Sequence, residues 1–212
     1  MSKKPLSFVE RVFLKAVNPV FGRVQGWRQD AINEEFVRTY GVRGFVKFGK
    51  TIGDTIAFLA DKYGEAEAHH LVGFAGMMNG CRWCGVGHTL TANLLIFQDG
   101  EALFPIDERE LPELQLLDDD AILEVFRERL HATPWASLVS LLERIKQLRG
   151  GEERTDSDDD VYLGLALDLW DWTNECTIET GFDIKAEDVP TLALLNRDKA
   201  LHVRYRAARD AT

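Results

Sequence analysis

Apolar residues recur at three- and four-residue intervals along most of the chain, which is the period of a helix and not of a strand. Phe8, Val9, Val12, Phe13 and Ala16 predict a helix over Ser7–Val17, interrupted by Pro19 and Gly22. Trp27–Tyr40 predicts a second helix, with Ile32, Phe36 and Val37 on one face and Gly41 after its end. Val42–Phe48 is ambiguous; with no partner strand elsewhere it is taken as loop or helix start. Ile52, Ile56, Phe58 and Leu59 place a helix over Thr51–Tyr63, closed by Gly64. Glu65–Met78 is more apolar still and holds Gly73 and Gly76, each costing a helix about 1 kcal/mol relative to alanine. Close approach of a neighbouring helix or of a partner subunit is the expected compensation. Asn79-Gly80 ends that helix, and the next runs to about Phe97 and stops at Gln98-Asp99-Gly100.

The pattern continues into the second half. Pro105, Pro112 and the acids between them predict a loop or short turns. Asp118-Asp119-Asp120 puts negative charge at the start of a helix burying Ile122, Val125, Phe126 and Leu130. Thr133-Pro134 reads as an N-cap with proline in the first turn, opening a helix that ends at Gly150-Gly151. Residues 152–160 are acidic and lack apolar side chains, so they predict an exposed linker. Val161–Thr180 is helical again. A last helix is expected from Asp188-Val189-Pro190, fraying towards Arg209. The fold class is all-α.

With 212 residues, 45% of them hydrophobic, the chain suits one domain with a sizeable core. Its net charge of −10 disfavours nucleic acid and anionic membranes as partners. No apolar run approaches a membrane span. The N-terminal stretch carries Glu10, Arg11 and Lys15 within its apolar residues, a poor signal-peptide core. A cytoplasmic location follows as the expectation, and in a reducing compartment paired cysteines point to catalysis or metal binding.

Two of the three cysteines stand together in Cys81-Arg82-Trp83-Cys84-Gly85-Val86-Gly87-His88. On a helix Cys81, Cys84 and His88 share one stripe. A cysteine needs help to ionise near neutral pH, and a helix N-terminus and a histidine one turn away both supply it. The same residues, with His69 or His70 as fourth ligand, could instead hold zinc, in a non-catalytic metal-binding or oligomeric interaction protein. Cys176 has no sequence partner and reads as a small buried apolar residue.

The run Gly73–Leu95, GFAGMMNGCRWCGVGHTLTANLL, resembles the redox motif of the alkylhydroperoxidase (AhpD-like, carboxymuconolactone decarboxylase-like) family. That pattern is an apolar helix, Asn-Gly-Cys, two residues, Cys, three residues, His, and a helix containing Thr. Asn79, Gly80, Cys81, Cys84, His88 and Thr89 match it. The resemblance implies a single AhpD-like helical domain over residues 1–212, with a redox core at about 51–97 and a helical part after the acidic linker. It implies a peroxidatic Cys84, a resolving Cys81 that joins it as a disulfide, and His88 as activating base. It further implies a hydroperoxide substrate, a dithiol reductant, no cofactor or metal, and a homo-oligomer, dimer or trimer. Decarboxylase-type chemistry is named with the family, but no residue here identifies such a substrate.

The chain departs from the family at His69, twelve residues before Cys81, where a glutamate usually serves a proton relay. His69 can relay a proton itself, and Glu65 or Glu67 could supply a carboxylate. Their ordinary readings are a packed histidine and solvated acids. Trp83 either covers a pocket or docks a reductant, and Gly85 and Gly87 permit close approach. Trp135, Trp170 and Trp172 read as core or interface anchors. His131 and His202 stand in no motif.

Overall fold

The structure, a computed structural model, describes residues 4–25, 29–181 and 194–212. Those residues form helices joined by turns and contain no strand. The order is α1 (Phe8–Gln25), α2 (Asp30–Tyr63), α3 (Glu65–Met78), α4 (Arg82–Gly100), α5 (Leu111–Leu114), α6 (Asp119–Leu130), α7 (Leu138–Arg149), α8 (Asp158–Gly181) and α9 (Lys199–Asp210). Short 3-10 turns precede α5 and α9. No helix among the described residues is long and apolar enough to cross a membrane. The side chain of Cys176 and the helix start expected at Asp188-Val189-Pro190 lie outside the described residues.

The centre is the α3–α4 hairpin. Every residue of α3 from Ala68 to Met78 is buried, covered by α2, α4, α7 and α8. The apolar, glycine-bearing helix that suggested a partner subunit is therefore covered within its own chain. The glycines let the two helices close on one another. A Cβ on Gly73 would stand 3.0 Å from His88 Cβ, and one on Gly85 3.1 Å from Met77 Cβ. A Cβ on Gly76 would stand 2.8 Å from Cys84 Cβ and 3.2 Å from the Trp170 ring.

Around this hairpin, α1 is fastened to α2 by aromatic packing and by one polar contact. Phe13 and Phe21 meet Phe45 edge-on, and Phe36 stacks on Phe48 with centroids 4.6 Å apart. Asn33 donates its side-chain N–H to Asn18 Oδ1 at 2.9 Å. Trp172 of α8 closes the same cluster. The C-terminal helix α9 is anchored by buried Tyr205, whose hydroxyl donates to the buried Glu108 carboxylate at 2.6 Å.

Local expectations held where backbone chemistry decides the outcome. Gly41 breaks the helical geometry of α2 with φ 70°, and the ambiguous segment after it resumes as helix. Asp118 caps α6 by accepting from the N–H of Ala121. Four expectations are corrected by packing. The first helix continues through Pro19 to Gln25, because a proline removes one donor without ending a helix held by tertiary contacts. The Thr133 hydroxyl caps a turn, accepting from Trp135 N–H, and the helix begins only at Leu138. The acidic 152–160 segment is not simply exposed. Asp160 is buried in the first turn of α8, where Arg144 grips its carboxylate through two N–H groups. The last helix runs unbroken to Asp210 because Leu201 and Tyr205 are buried.

Candidate active site

The turn between α3 and α4 builds the site. Gly80 takes φ 85°, a left-handed conformation that costs glycine little. Cys81 follows in extended geometry as the N-cap of α4, its N–H bonded to Gly76 O. Its sulfur takes the place of the usual capping oxygen and accepts from Cys84 N–H at 3.2 Å. Cys81 and Cys84 are joined as a disulfide with Cα atoms 5.3 Å apart. Both sulfurs thus sit at a helix N-terminus, where free N–H groups and the dipole favour a thiolate once the bond is reduced. Arg149 holds the turn from α7 through Asn79 Oδ1, and Gln115 holds it through Met77 O.

Behind the cysteines lie two histidines. His88, one turn beyond Cys84, is fully buried, and its Nδ1 stands 2.9 Å from the Nδ1 of His69 on α3. Trp170 packs edge-on against the His88 ring and donates its indole N–H to Val72 O at 2.8 Å. The Nε2 of His88 is buried and makes no hydrogen bond among the described residues. Burial pushes His69 down to about 4, and burial together with His69 holds His88 well below its ordinary value. Both imidazoles are therefore neutral at physiological pH.

The shared contact dictates the tautomers. Two neutral imidazoles facing through Nδ1 hold one proton between them. If His88 donates it, His88 Nε2 is a bare lone pair, able to act as a proton acceptor. If His69 donates it, His88 Nε2 carries the proton instead. The pair shares one proton and ends at a buried nitrogen, His88 Nε2, without a hydrogen-bond partner among the described residues.

In front of the cysteines is a cavity of about 210 Å³, walled mostly by apolar groups. Cys84 and Trp83 line it from the hairpin, Trp170 from α8, and Phe21, Phe36, Phe45, Phe48, Ile32 and Ile52 from α1 and α2. Asn33 and Gln29 are its polar lining. Cys84 lines this cavity and Cys81 does not.

Comparison with protein-family models, with curated proteins and with solved structures gave no match. The site is thus read from its own geometry.

Of the residues singled out in the sequence, Cys81 joins Cys84 and His69 joins His88, with Cys84 and His88 one turn apart on α4. Trp83 lines the cavity. His70 does not join them: it stacks on Phe104 with centroids 4.0 Å apart, and burial pushes it down to about 3. Glu65 is exposed, and Glu67 lines a separate hollow with Tyr63 and Trp135. Neither acid hydrogen-bonds to His69 or His88 among the described residues. No group of three metal-ligating side chains is assembled there. His131 is exposed beside Glu128 O, and His202 lies on α9. Trp170 is more than the core anchor expected of it, since it touches both His88 and the cavity. The cavity's phenylalanines were missed as site residues. The dense aromatics between Phe13 and Phe48 were their only signal in the sequence.

Proposed function

We propose that this chain is a thiol-dependent peroxidase that reduces hydroperoxides and is recycled by a dithiol. One observation carries the reading: Cys84 lines an apolar cavity from the first turn of α4, and His88, one turn further along the same helix, meets His69 of α3.

In the reduced protein the Cys84 thiol gives its proton to His88 Nε2, and the proton on His88 Nδ1 passes to His69. The helix N-terminus stabilises the thiolate left behind. That thiolate attacks the outer oxygen of a hydroperoxide held in the cavity. The S–O bond forms, the O–O bond breaks, and the alkoxide leaves as an alcohol after taking a proton from the relay. Cys84 is now a sulfenic acid. Cys81, ionised at the N-cap, attacks Cys84 Sγ. The disulfide forms and the hydroxyl departs as water. A dithiol then exchanges with this disulfide through a mixed disulfide, returning both cysteines to thiols. In sum one hydroperoxide and one dithiol become one alcohol, one water and one disulfide. A reducing cytoplasm would supply the dithiol.

The test is peroxide consumption with dithiothreitol as reductant, paired with dimedone labelling. Cys84→Ser should abolish turnover and take no label. Cys81→Ser should lose turnover yet trap a labelled sulfenic acid on Cys84. Label on Cys81 in the Cys84→Ser protein, with none in Cys81→Ser, would reverse the assignment.

A further inference from the structure

The net charge of −10 conceals a division along the chain. The first 50 residues carry ten Lys and Arg against four Asp and Glu, a net of +6, while the remainder carries 15 against 31, a net of −16. Large apolar side chains face solvent in both parts, Leu116 and Val203 among them in the acidic one, but in the basic part they line up along one helix. On α1, Val9, Val12, Ala16 and Val20 follow one another by three, four and four residues and are exposed, with Phe8 73% exposed at the helix start. Exposed Arg11, Lys15 and Arg23 accompany them. On α2, Arg43, Val46, Lys47 and Lys50 are exposed at i, i+3, i+4 and i+7, one stripe opposite the inward Phe45 and Phe48. Lys50 pairs with Asp54, so its charge is partly offset.

We infer that the exposed face of α1, with the basic stripe of α2, docks on an anionic lipid surface. An apolar stripe edged by cations suits the boundary between headgroups and acyl chains, where valine and phenylalanine leave water and lysine and arginine meet phosphate. A second copy fits less well. Two such faces repel one another, so the two-fold pairing that is commonest among oligomers is disfavoured. Nucleic acid would leave the valine stripe unused. The inference goes beyond the peroxidase reading and does not depend on it, although α1 and α2 also wall the cavity that reaches Cys84.

The experiment is co-sedimentation of the full chain with phosphatidylcholine vesicles and with mixed phosphatidylcholine–phosphatidylglycerol vesicles. Binding is expected to the mixed vesicles only and should weaken as salt is raised. Lys15→Gln/Arg23→Gln should weaken binding on the order of 25-fold, since each cation near such a surface contributes roughly fivefold. Val12→Glu/Val20→Glu should weaken it as far. All four positions are exposed and outside the cavity, so helicity and consumption of a water-soluble peroxide should be unchanged in both variants. No binding to the mixed vesicles, equal binding to the neutral ones, or binding unaffected by both variants would overturn the proposal. So would light scattering that shows a wild-type oligomer dissociated by the valine substitutions, because the face would then belong to a second copy.

Discussion

His69 and His88 meet through their Nδ1 atoms at 2.9 Å, inside the protein and one helix turn beyond Cys84. The contact forces one proton to be shared and leaves the far nitrogen of His88 as the unsatisfied end of the chain.

Gly76 sets how closely α3 approaches α4. Gly76→Ala would bring a methyl group within 2.8 Å of Cys84 Cβ and against Trp170. Neither neighbour is the loose end of a flexible chain, so the helices must part. Destabilisation of about 1–3 kcal/mol is expected, together with slower peroxide turnover. Urea unfolding measured beside turnover checks both.

Three buried histidines make the fold sensitive to acid. His69 is pushed down to about 4, His70 to about 3, and His88 well below its ordinary value, all mainly by burial. In the unfolded chain each binds a proton near pH 6.5. Below that pH the unfolded state holds more protons than the native one, so stability falls as pH falls. Each histidine contributes roughly 1.4 kcal/mol per pH unit until its native value is reached. Thermal melts between pH 7 and about 4.5 should drop steadily. His70→Leu, outside the redox site, should remove about a third of the slope, and an unchanged slope would mean His70 is not buried neutral.

The helical class, the turn at Asn79-Gly80, the cysteines at a helix start and the break at Gly41 were all legible in the sequence. Each rests on local backbone chemistry, a glycine with positive φ or a run of 3.6 periodicity. What was not legible depends on distant residues. Asp160 reads as one more acid in a solvated run until Arg144, sixteen residues earlier, is brought across to it. Thr133-Pro134 carries the letters of a helix cap, but its hydroxyl closes a turn. The cavity needs α1 and α2 folded over the hairpin, and no spacing within Phe21–Ile52 announces Cys84 as a neighbour. The resemblance paired His69 with His88 in advance, but that they meet through Nδ1 depends on the packing of α3 on α4.

The cavity should select among substrates by shape. Ile52 lines it without touching the relay, and Ile52→Trp would fill much of its volume. KM for cumene hydroperoxide should rise about tenfold, while hydrogen peroxide, which needs little room, should be consumed as before. An equal loss on both substrates would indicate that the substitution disturbs Cys84 itself and that the cavity is not the entry.

The last prediction separates two roles for His69. As an orienting group it would only fix the tautomer of His88, and any acceptor at that point would serve. As a proton acceptor it must be neutral, with a free ring nitrogen facing His88. His69→Gln can still accept from His88 Nδ1–H but cannot take up the proton, whereas His69→Ala can do neither. The relay predicts that both variants lose about 100-fold in turnover, within the usual range for a general base. Orientation alone predicts that glutamine rescues. The wild-type acid limb provides a second readout. An ordinary histidine would switch off near pH 6.5, but burial pushes His69 down to about 4, so activity should persist to about pH 4 wherever circular dichroism shows the protein still folded. In both variants that limb should disappear from the residual activity. A fully active glutamine variant, or a wild-type limb at pH 6.5, would remove His69 from the relay and leave His88 to exchange its proton by another route.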